Sequence, residues 1–197
     1  MQFQKEDIRE SILAAAREEF SEKGFEKASI RGITAKANTA KSNLYNYFKD
    51  KDDLFCAMLE PTVAEIRSGL ELAKQYNVPK EADEYTMSSQ ALVIGVIKQF
   101  VIGHAADVSL LLFKAQGSPL ESFKHEVLDA FTDSMMNWTQ SIKPQKTVTR
   151  LFVRSVCSFY LNMIEQMFLF GPQGEDMEAF FKEISVFVYH GWKNVLS

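Results

Sequence analysis

Apolar residues recur along this chain at helical spacing in block after block. From residue 6 to 23, Ile8, Ile12, Leu13, Ala16 and Phe20 fall on one face of a helix. Glu6, Asp7 and Glu10 sit near its amino end, where the helix dipole favours acids. Gly24 is the expected stop, with Phe25 folding back onto the last turn. Ser29 can cap the next helix, because its hydroxyl accepts from free backbone N–H groups two or three residues on. That helix runs to about Ala37 with Ile30, Ile33 and Ala37 inward. Gly32 within it costs roughly 1 kcal/mol relative to alanine, so neighbouring helices must hold the segment. Asn38 suits a left-handed turn. Thr39 or Ala40 then opens a helix to Tyr47; Thr39 has a side chain able to cap it and Ala40 does not. Leu44 and Phe48, four apart, anchor it.

The pattern continues after Asp50 or Asp52 with Leu54, Phe55, Met58 and Leu59. Pro61 is expected to kink or restart this helix, since proline loses a backbone hydrogen bond and crowds the preceding turn. Val63, Ile66, Leu70 and Ala73 extend the spacing to about Tyr76. A polar loop with Pro79 follows, from Asn77 to Tyr85. Residues 88–115 are apolar on most sides, which predicts a buried central helix broken near Gly103. Gln116 to Pro119 is a turn, with Ser118 as cap and Pro119 at the first position of the next helix. That helix carries Phe123, Val127, Leu128, Phe131, Met135 and Trp138 and ends before Pro144. Two further helices, Thr147 to Phe170 and Met177 to Val195, flank a turn at residues 171–176. Their apolar faces are broad. Such a pair can bury one face in its own core and another against a second copy. Phe152, Phe180, Ile184, Phe187, Val188 and Trp192 are the candidates for that interface, with simple intramolecular packing as the alternative.

Composition agrees with a helical globular protein. The 197 residues allow one or two domains, and 46% hydrophobic with 24% charged is ordinary. Nine glycines and five prolines signal few turns. Cys56 and Cys157 stand alone, as buried thiols do in a reducing compartment. With no secretory pattern and no apolar run of membrane-spanning length, a cytoplasmic protein without membrane contact is expected.

Charge changes the picture. The chain carries a formal net charge of -4, against coating of nucleic acid by the whole molecule. Yet from Lys27 to Lys49 there are five basic residues (Lys27, Arg31, Lys36, Lys41, Lys49) and no acid. A polyanionic partner is the simplest reason. With Leu44 and Phe48 inward, Lys41, Ser42, Asn43, Tyr45, Asn46 and Tyr47 cover the other sides of their helix. A helix with a short turn before it and such an outer face fits the major groove of B-DNA. Lys and Asn pair with base edges there, while Tyr, Ser and Lys reach phosphates. An ordinary solvated helical hairpin is the alternative.

Catalytic equipment is not evident. His104, His125 and His190 lack metal-ligand spacing, and no nucleophile elbow, phosphate loop or dinucleotide glycine motif occurs. No metal or cofactor is therefore expected. His104 and Glu165 lie among apolar residues, where a structural role is as natural as a ligand contact. Sixteen Phe and eight Met allow either a core of adaptable side chains or a cavity for an apolar or amphipathic ligand. Phe100, His104, Phe113, Met135, Trp138, Phe159, Met163 and Met167 are the candidates for its lining.

The run LYNYFKDKDDLF from Leu44 to Phe55, preceded by EKGFEKASI and ITAKAN, resembles the signature of the TetR family of bacterial transcriptional regulators. The resemblance covers roughly the first quarter of the chain. It implies an all-α protein with a helix-turn-helix DNA-binding domain over residues 1–50. A helical bundle for ligand binding and dimerisation would occupy residues 51–197. It also implies DNA contacts from Arg31, Lys41, Ser42, Asn43, Tyr45, Asn46, Tyr47 and Lys51, with Lys49 adding a further one. The chain departs from the family pattern at Asn38, usually glycine, at Thr39, usually small and apolar, and at Ala40, usually serine. The reading is a homodimeric regulator on a palindromic operator, a repressor released by a small ligand. The alternatives are an all-helical small-molecule-binding protein without a DNA role, and a cofactor-free helical enzyme.

Overall fold

The computed structural model describes residues 2–75, 103–142, 144–171 and 175–197. In chain order the helices are α1 (Gln2–Lys27), α2 (Ile30–Lys36), α3 (Lys41–Leu44), α4 (Lys51–Gln75), α5 (Ala105–Phe113), α6 (Phe123–Ile142), α7 (Arg150–Phe170) and α8 (Glu175–Leu196). No strand occurs among the described residues. The chain divides into two compact units. Met1–Arg67 and Ala106–His125 form the first, and Ser68–Ala105 with Glu126–Ser197 form the second. Lys51–Arg67 and Ala106–His125 thus pack with the first three helices.

The first unit closes around aromatic rings. Gly24, with φ 71 and ψ 168, breaks the helical geometry of α1 where a stop was expected. The break turns Phe25 inward, stacked 5.8 Å from Phe20, and both rings meet Phe55 of α4 at 4.9 Å. Ile12, Ala16, Ile33, Leu44, Phe48, Leu54 and Leu59 complete the core. At an aliphatic burial free energy of about 1.5–3 kcal/mol per side chain, these contacts dominate the stability of α2 and α3, which are too short to persist alone.

The later chain is fastened to this core by polar groups. Asp107 of α5 accepts a bidentate pair of hydrogen bonds from Arg17, at 2.7 and 3.0 Å, and a third from the Thr62 hydroxyl at 2.9 Å. Such a fork-to-carboxylate pair is directional as well as charged. Lys114 adds its carbonyl to the Phe25 N–H, at 2.9 Å, and donates its ammonium to Ser21 O. Pro61 neither ends nor restarts a helix: α4 runs through it from Lys51 to Gln75. Its ring faces outward, exposed, so the core does not have to accommodate it.

In the second unit the core is built from Val153, Cys157, Trp192 and Leu196, with Leu128, Phe131, Met135, Trp138 and Val188 against it. α7 begins at the capping hydroxyl of Thr149 and ends at Gly171 in the left-handed conformation, φ 56. Trp192 Nε1 donates to the Tyr160 hydroxyl at 2.9 Å, which satisfies a polar group inside the apolar layer. Burial raises the Tyr160 phenol to about 12 and the Cys157 thiol to about 11, so both stay protonated at neutral pH. Arg150 and Arg154 of α7 pair with Asp133 and Asp129 of α6. These pairs are half exposed and contribute about 0–1 kcal/mol each. The anticipated loop at 77–85 and most of the anticipated 88–115 helix lie outside the described residues.

Candidate nucleic-acid interface

α2, its turn and α3 are assembled from local bonds. Ser29 is extended, φ -130, and its hydroxyl accepts from Gly32 N, as expected of the cap. The helix ends where Asn38 adopts φ 48, the left-handed geometry its side chain tolerates. Thr39 N donates to Thr34 O at 3.0 Å and closes the turn. Thr39 does not cap α3. The cap position is Ala40, without a side-chain hydrogen bond, and Thr39 Oγ1 accepts instead from the Asn43 amide at 2.9 Å. Without a capping side chain the helix is short. α3 covers Lys41–Leu44, and turns carry the chain on through Tyr47 rather than one helix from 40 to 47. Leu44 and Phe48 are buried as anchors.

Most of the residues expected to face DNA are on the surface. Arg31, Lys41, Ser42, Tyr45, Asn46 and Lys49 are exposed; Asn43 and Tyr47 are half-buried. Asn43 is partly committed, through its bond to Thr39 and an acceptor contact with the Asn46 amide at 3.5 Å. The Lys41 ammonium lies 5.6 Å from the Tyr45 ring centroid, so the two side chains share one patch. Arg31, Thr34, Ala35, Asn38 and Thr39 line an open cleft of about 340 Å³ beside the turn.

Two cations differ from this picture: Lys51, expected to contact DNA, and Lys36 of the positive window. Lys51 is tied inward: its ammonium donates to Phe25 O at 2.9 Å and Ala28 O at 3.3 Å and lies 4.1 Å over the Phe25 ring. Those carbonyls lie at and just past the last turn of α1, so Lys51 caps its end. Lys36 is held by Glu18 at 2.6 Å and Glu22 at 2.7 Å, acids of α1 that the window in sequence excludes. These hydrogen bonds, Glu18 first and then Glu22, raise its ammonium above the ordinary lysine range. Just after the motif, Asp50 Oδ1 accepts from Asp53 N at 2.8 Å while Asp53 Oδ2 accepts from Lys49 N at 2.8 Å. This reciprocal cap starts α4 and fixes the backbone of Lys49.

Sequence reasoning missed one charged residue at the base of the motif. Glu19 is fully buried, and its Oε1 accepts from Lys23 Nζ at 2.7 Å and from Ser29 N at 3.4 Å. The signal was present: Glu19 lies three residues after Ala16 and seven after Ile12, on the apolar face.

The other candidates are dispersed. Phe100 lies outside the described residues. Phe113 belongs to the first unit, with the Lys124 ammonium 4.5 Å over its ring. His104 and Met163 are half-buried. Met135 and Trp138 pack into the core of the second unit. Phe159 is exposed beside the Tyr160 and Phe187 rings. Met167 floors an open groove of about 400 Å³ with Gln166, Phe170, Asp176, Ala179, Phe180 and Glu183. Among the proposed interface residues, Phe152 and Phe187 are exposed and Phe180, Ile184 and Val188 half-buried. Trp192 is a correction: it is 3% exposed, packed edge-on against Trp138 and Phe152, and belongs to the core of its own chain. The cysteine pair is unlinked. Among the described residues no group of three metal-ligating side chains converges and no helix is long and apolar enough to cross a membrane.

A capped helix, a left-handed turn, and a short second helix with a cationic, aromatic outer face define a helix-turn-helix DNA-binding protein. Residues 12–58 match the family model for bacterial regulatory proteins of the tetR family. The chain is 27% identical over 194 residues to the uncharacterized HTH-type transcriptional regulator YvdT of Bacillus subtilis, covering 91% of this chain and 92% of that one. FadR of B. subtilis, solved in complex with stearoyl-CoA, shares the fold at a TM-score of 0.59 and 17% identity, over 92% of this chain and 97% of that chain. NalD of Pseudomonas aeruginosa, the secondary repressor of the MexAB-OprM multidrug efflux pump, does so at 0.61 and 17%, over 91% and 94%. The first unit thus carries the DNA-binding segment described by the tetR family model, and the chain as a whole is similar to HTH-type transcriptional regulators.

Proposed function

We propose that this regulator is a homodimeric repressor, acting in the cytoplasm on a palindromic operator and released by a small apolar or amphipathic ligand. The observation that carries the reading is the exposed set Arg31, Lys41, Ser42, Tyr45 and Asn46 around a rigid turn at Asn38. Arg31 and Lys49 suit phosphates, while Lys41, Asn46 and Tyr45 suit base edges and the sugar-phosphate wall. α3 is four residues long, so one copy reads few base pairs and needs a second. Phe187 at 62% exposed, Val186 at 42% and Phe159 at 45% are apolar groups that a second copy would cover. The stearoyl-CoA held by FadR supports an effector with an acyl chain. A ligand that favours a dimer with wrongly spaced recognition helices weakens DNA binding by the same coupling with which DNA weakens the ligand. Both helices must enter successive major grooves roughly 34 Å apart, so a shift of a few ångströms suffices.

Fluorescence anisotropy with duplex DNA from the protein's own upstream region, across a salt series, tests this. The expected result is binding far tighter than to random duplex, with a steep salt slope, relieved by long-chain acyl-CoA. Equal affinity for both duplexes at every salt concentration would overturn the operator reading. Relief by no acyl ligand would overturn the proposed effector class alone.

A further inference from the structure

The DNA-reading helices sit on a buried acid. A carboxylate without solvent is costly unless charge and hydrogen bonds compensate it, so its retention at this place calls for a role. Glu19 is 0% exposed, and Lys23 and the Ser29 N–H supply its two hydrogen bonds. Among the described residues its second oxygen, Oε2, accepts no hydrogen bond, and it lies 3.9 Å from the Lys36 ammonium.

The carboxylate also lies flat against the backbone of α2. A Cβ at Gly32 would stand 2.1 Å from Glu19 Oε1, 2.6 Å from its carboxyl carbon and 2.9 Å from Oε2. A methyl group enters there only if the Glu19 carboxyl shifts away. The glycine in the middle of α2 is thus a notch that receives the acid. Glu19 meets α2 at three places: the N–H of its cap residue Ser29, the notch at Gly32, and the charge of Lys36 near its end. Three points fix the rotation of a short helix about its own axis. Glu18 and Glu22, one on each side along α1, hold the same lysine.

We propose that Glu19 is the positioning residue of the DNA-reading motif, setting the seat of α2 through the notch at Gly32 and so the aim of α3. The inference rests on the operator-binding reading above. Glu19 touches no DNA. It acts because α2, the turn at Asn38 and α3 are joined by short backbone bonds, so a rotation of α2 is passed to Lys41 and Tyr45. Base contacts depend on that aim; attraction of exposed cations to the phosphate backbone does not.

The test is the ratio of affinities for upstream and random duplex in wild type, Glu19→Gln, Glu19→Ala, Gly32→Ala and the double variant Glu19→Ala/Gly32→Ala, with helicity and melting temperature recorded. Glu19→Gln keeps the shape and removes the charge. It is expected to lower specific affinity by about tenfold while random-duplex affinity stays within about twofold. Gly32→Ala is expected to lose specific binding and melt earlier, and removing the Glu19 side chain in the double variant to recover a substantial part of both. That non-additivity marks a direct contact between the two positions. Should Glu19→Gln bind the upstream duplex as wild type does, the positioning role is overturned. A double variant no better than Gly32→Ala overturns it too, and is readable from melting even where DNA binding is lost. A wild type that does not distinguish the duplexes instead sinks the operator reading, and the melting comparison still decides whether acid and notch are coupled.

Discussion

The segment Ser29–Lys51 of the first unit and the α7–α8 pair of the second invert each other. In the first, polar and cationic side chains stand in solvent while a carboxylate, Glu19, is buried beneath them. In the second, phenylalanines stand in solvent while the Trp192 N–H and Tyr160 hydroxyl are paired inside. Exposed polar and buried apolar groups need no comment. Residues on the unexpected side of that division carry information, because each costs free energy that something else must offset. Glu19 is offset by Lys23, Ser29 and the notch at Gly32. For the α7–α8 face, the offset we propose is a second copy of the chain.

The largest effect that bears on this contrast is expected from Phe187→Glu. Interface anchors contribute about 2–4 kcal/mol, so the dimer should weaken by roughly 30- to 700-fold in sedimentation equilibrium. Operator binding would fall with it while helicity is kept. A dimer unchanged by this charge moves the interface away from α8.

Lys41→Ala and Tyr45→Ala come next. Each should cost about 1–3 kcal/mol of specific binding in anisotropy, as for a lost base or phosphate contact. Melting should shift little, since surface substitutions typically stay within about 0.5 kcal/mol. An unfolded variant would instead place these side chains in the core, against their exposure.

Tyr160→Phe probes the hidden polar pair. Leaving the Trp192 N–H unsatisfied should cost about 1–3 kcal/mol in denaturant unfolding. The dimer and DNA arms of the comparison should not change. The phenol is held at about 12 against an ordinary 10, so between those values the folded chain keeps a proton that the unfolded chain releases. Its contribution is therefore complete below pH 10 and is lost as pH rises to about 12. Wild type should lose stability across that window more steeply than Tyr160→Phe, and parallel curves would remove Tyr160 as the cause.

The smallest effect concerns Lys36. Replacing Glu18 and Glu22 together by Gln removes both hydrogen-bonded acids from Lys36 and leaves Glu19 at 3.9 Å. The salt dependence of DNA binding should steepen by about one unit of slope if Lys36 then reaches a phosphate. An unchanged slope shows that Lys36 points away from DNA whatever its partners.

Much of this molecule was legible from local pattern. Ser29 as cap, Gly24 as break, Asn38 as left-handed turn, and Leu44 with Phe48 as anchors all follow from residue chemistry within a few positions. The same local reasoning gave the exposed face of Lys41, Ser42, Tyr45 and Asn46, and the motif from Leu44 to Phe55 pointed to the family. It overextended α3, because the missing cap at Ala40 and the Asn43–Thr39 bond compete with helix in a segment too short to resist them.

What the sequence by itself determined was the type and order of the helices and the chemistry of the reading face. Those depend on contacts between residues three or four apart. Tertiary structure alone decided that Lys36 and Lys51 are tied down, that Trp192 is core rather than interface, and that Gly32 receives a carboxyl group. Each of these turns on a partner that only folding brings close: the acids of α1 for Lys36, the carbonyls of Phe25 and Ala28 for Lys51, Trp138 and Tyr160 for Trp192, and Glu19 for Gly32. A linear window counts charges and apolar stripes along one chain segment. Burial and pairing are properties of the space between segments, and there the net effect of each residue is set.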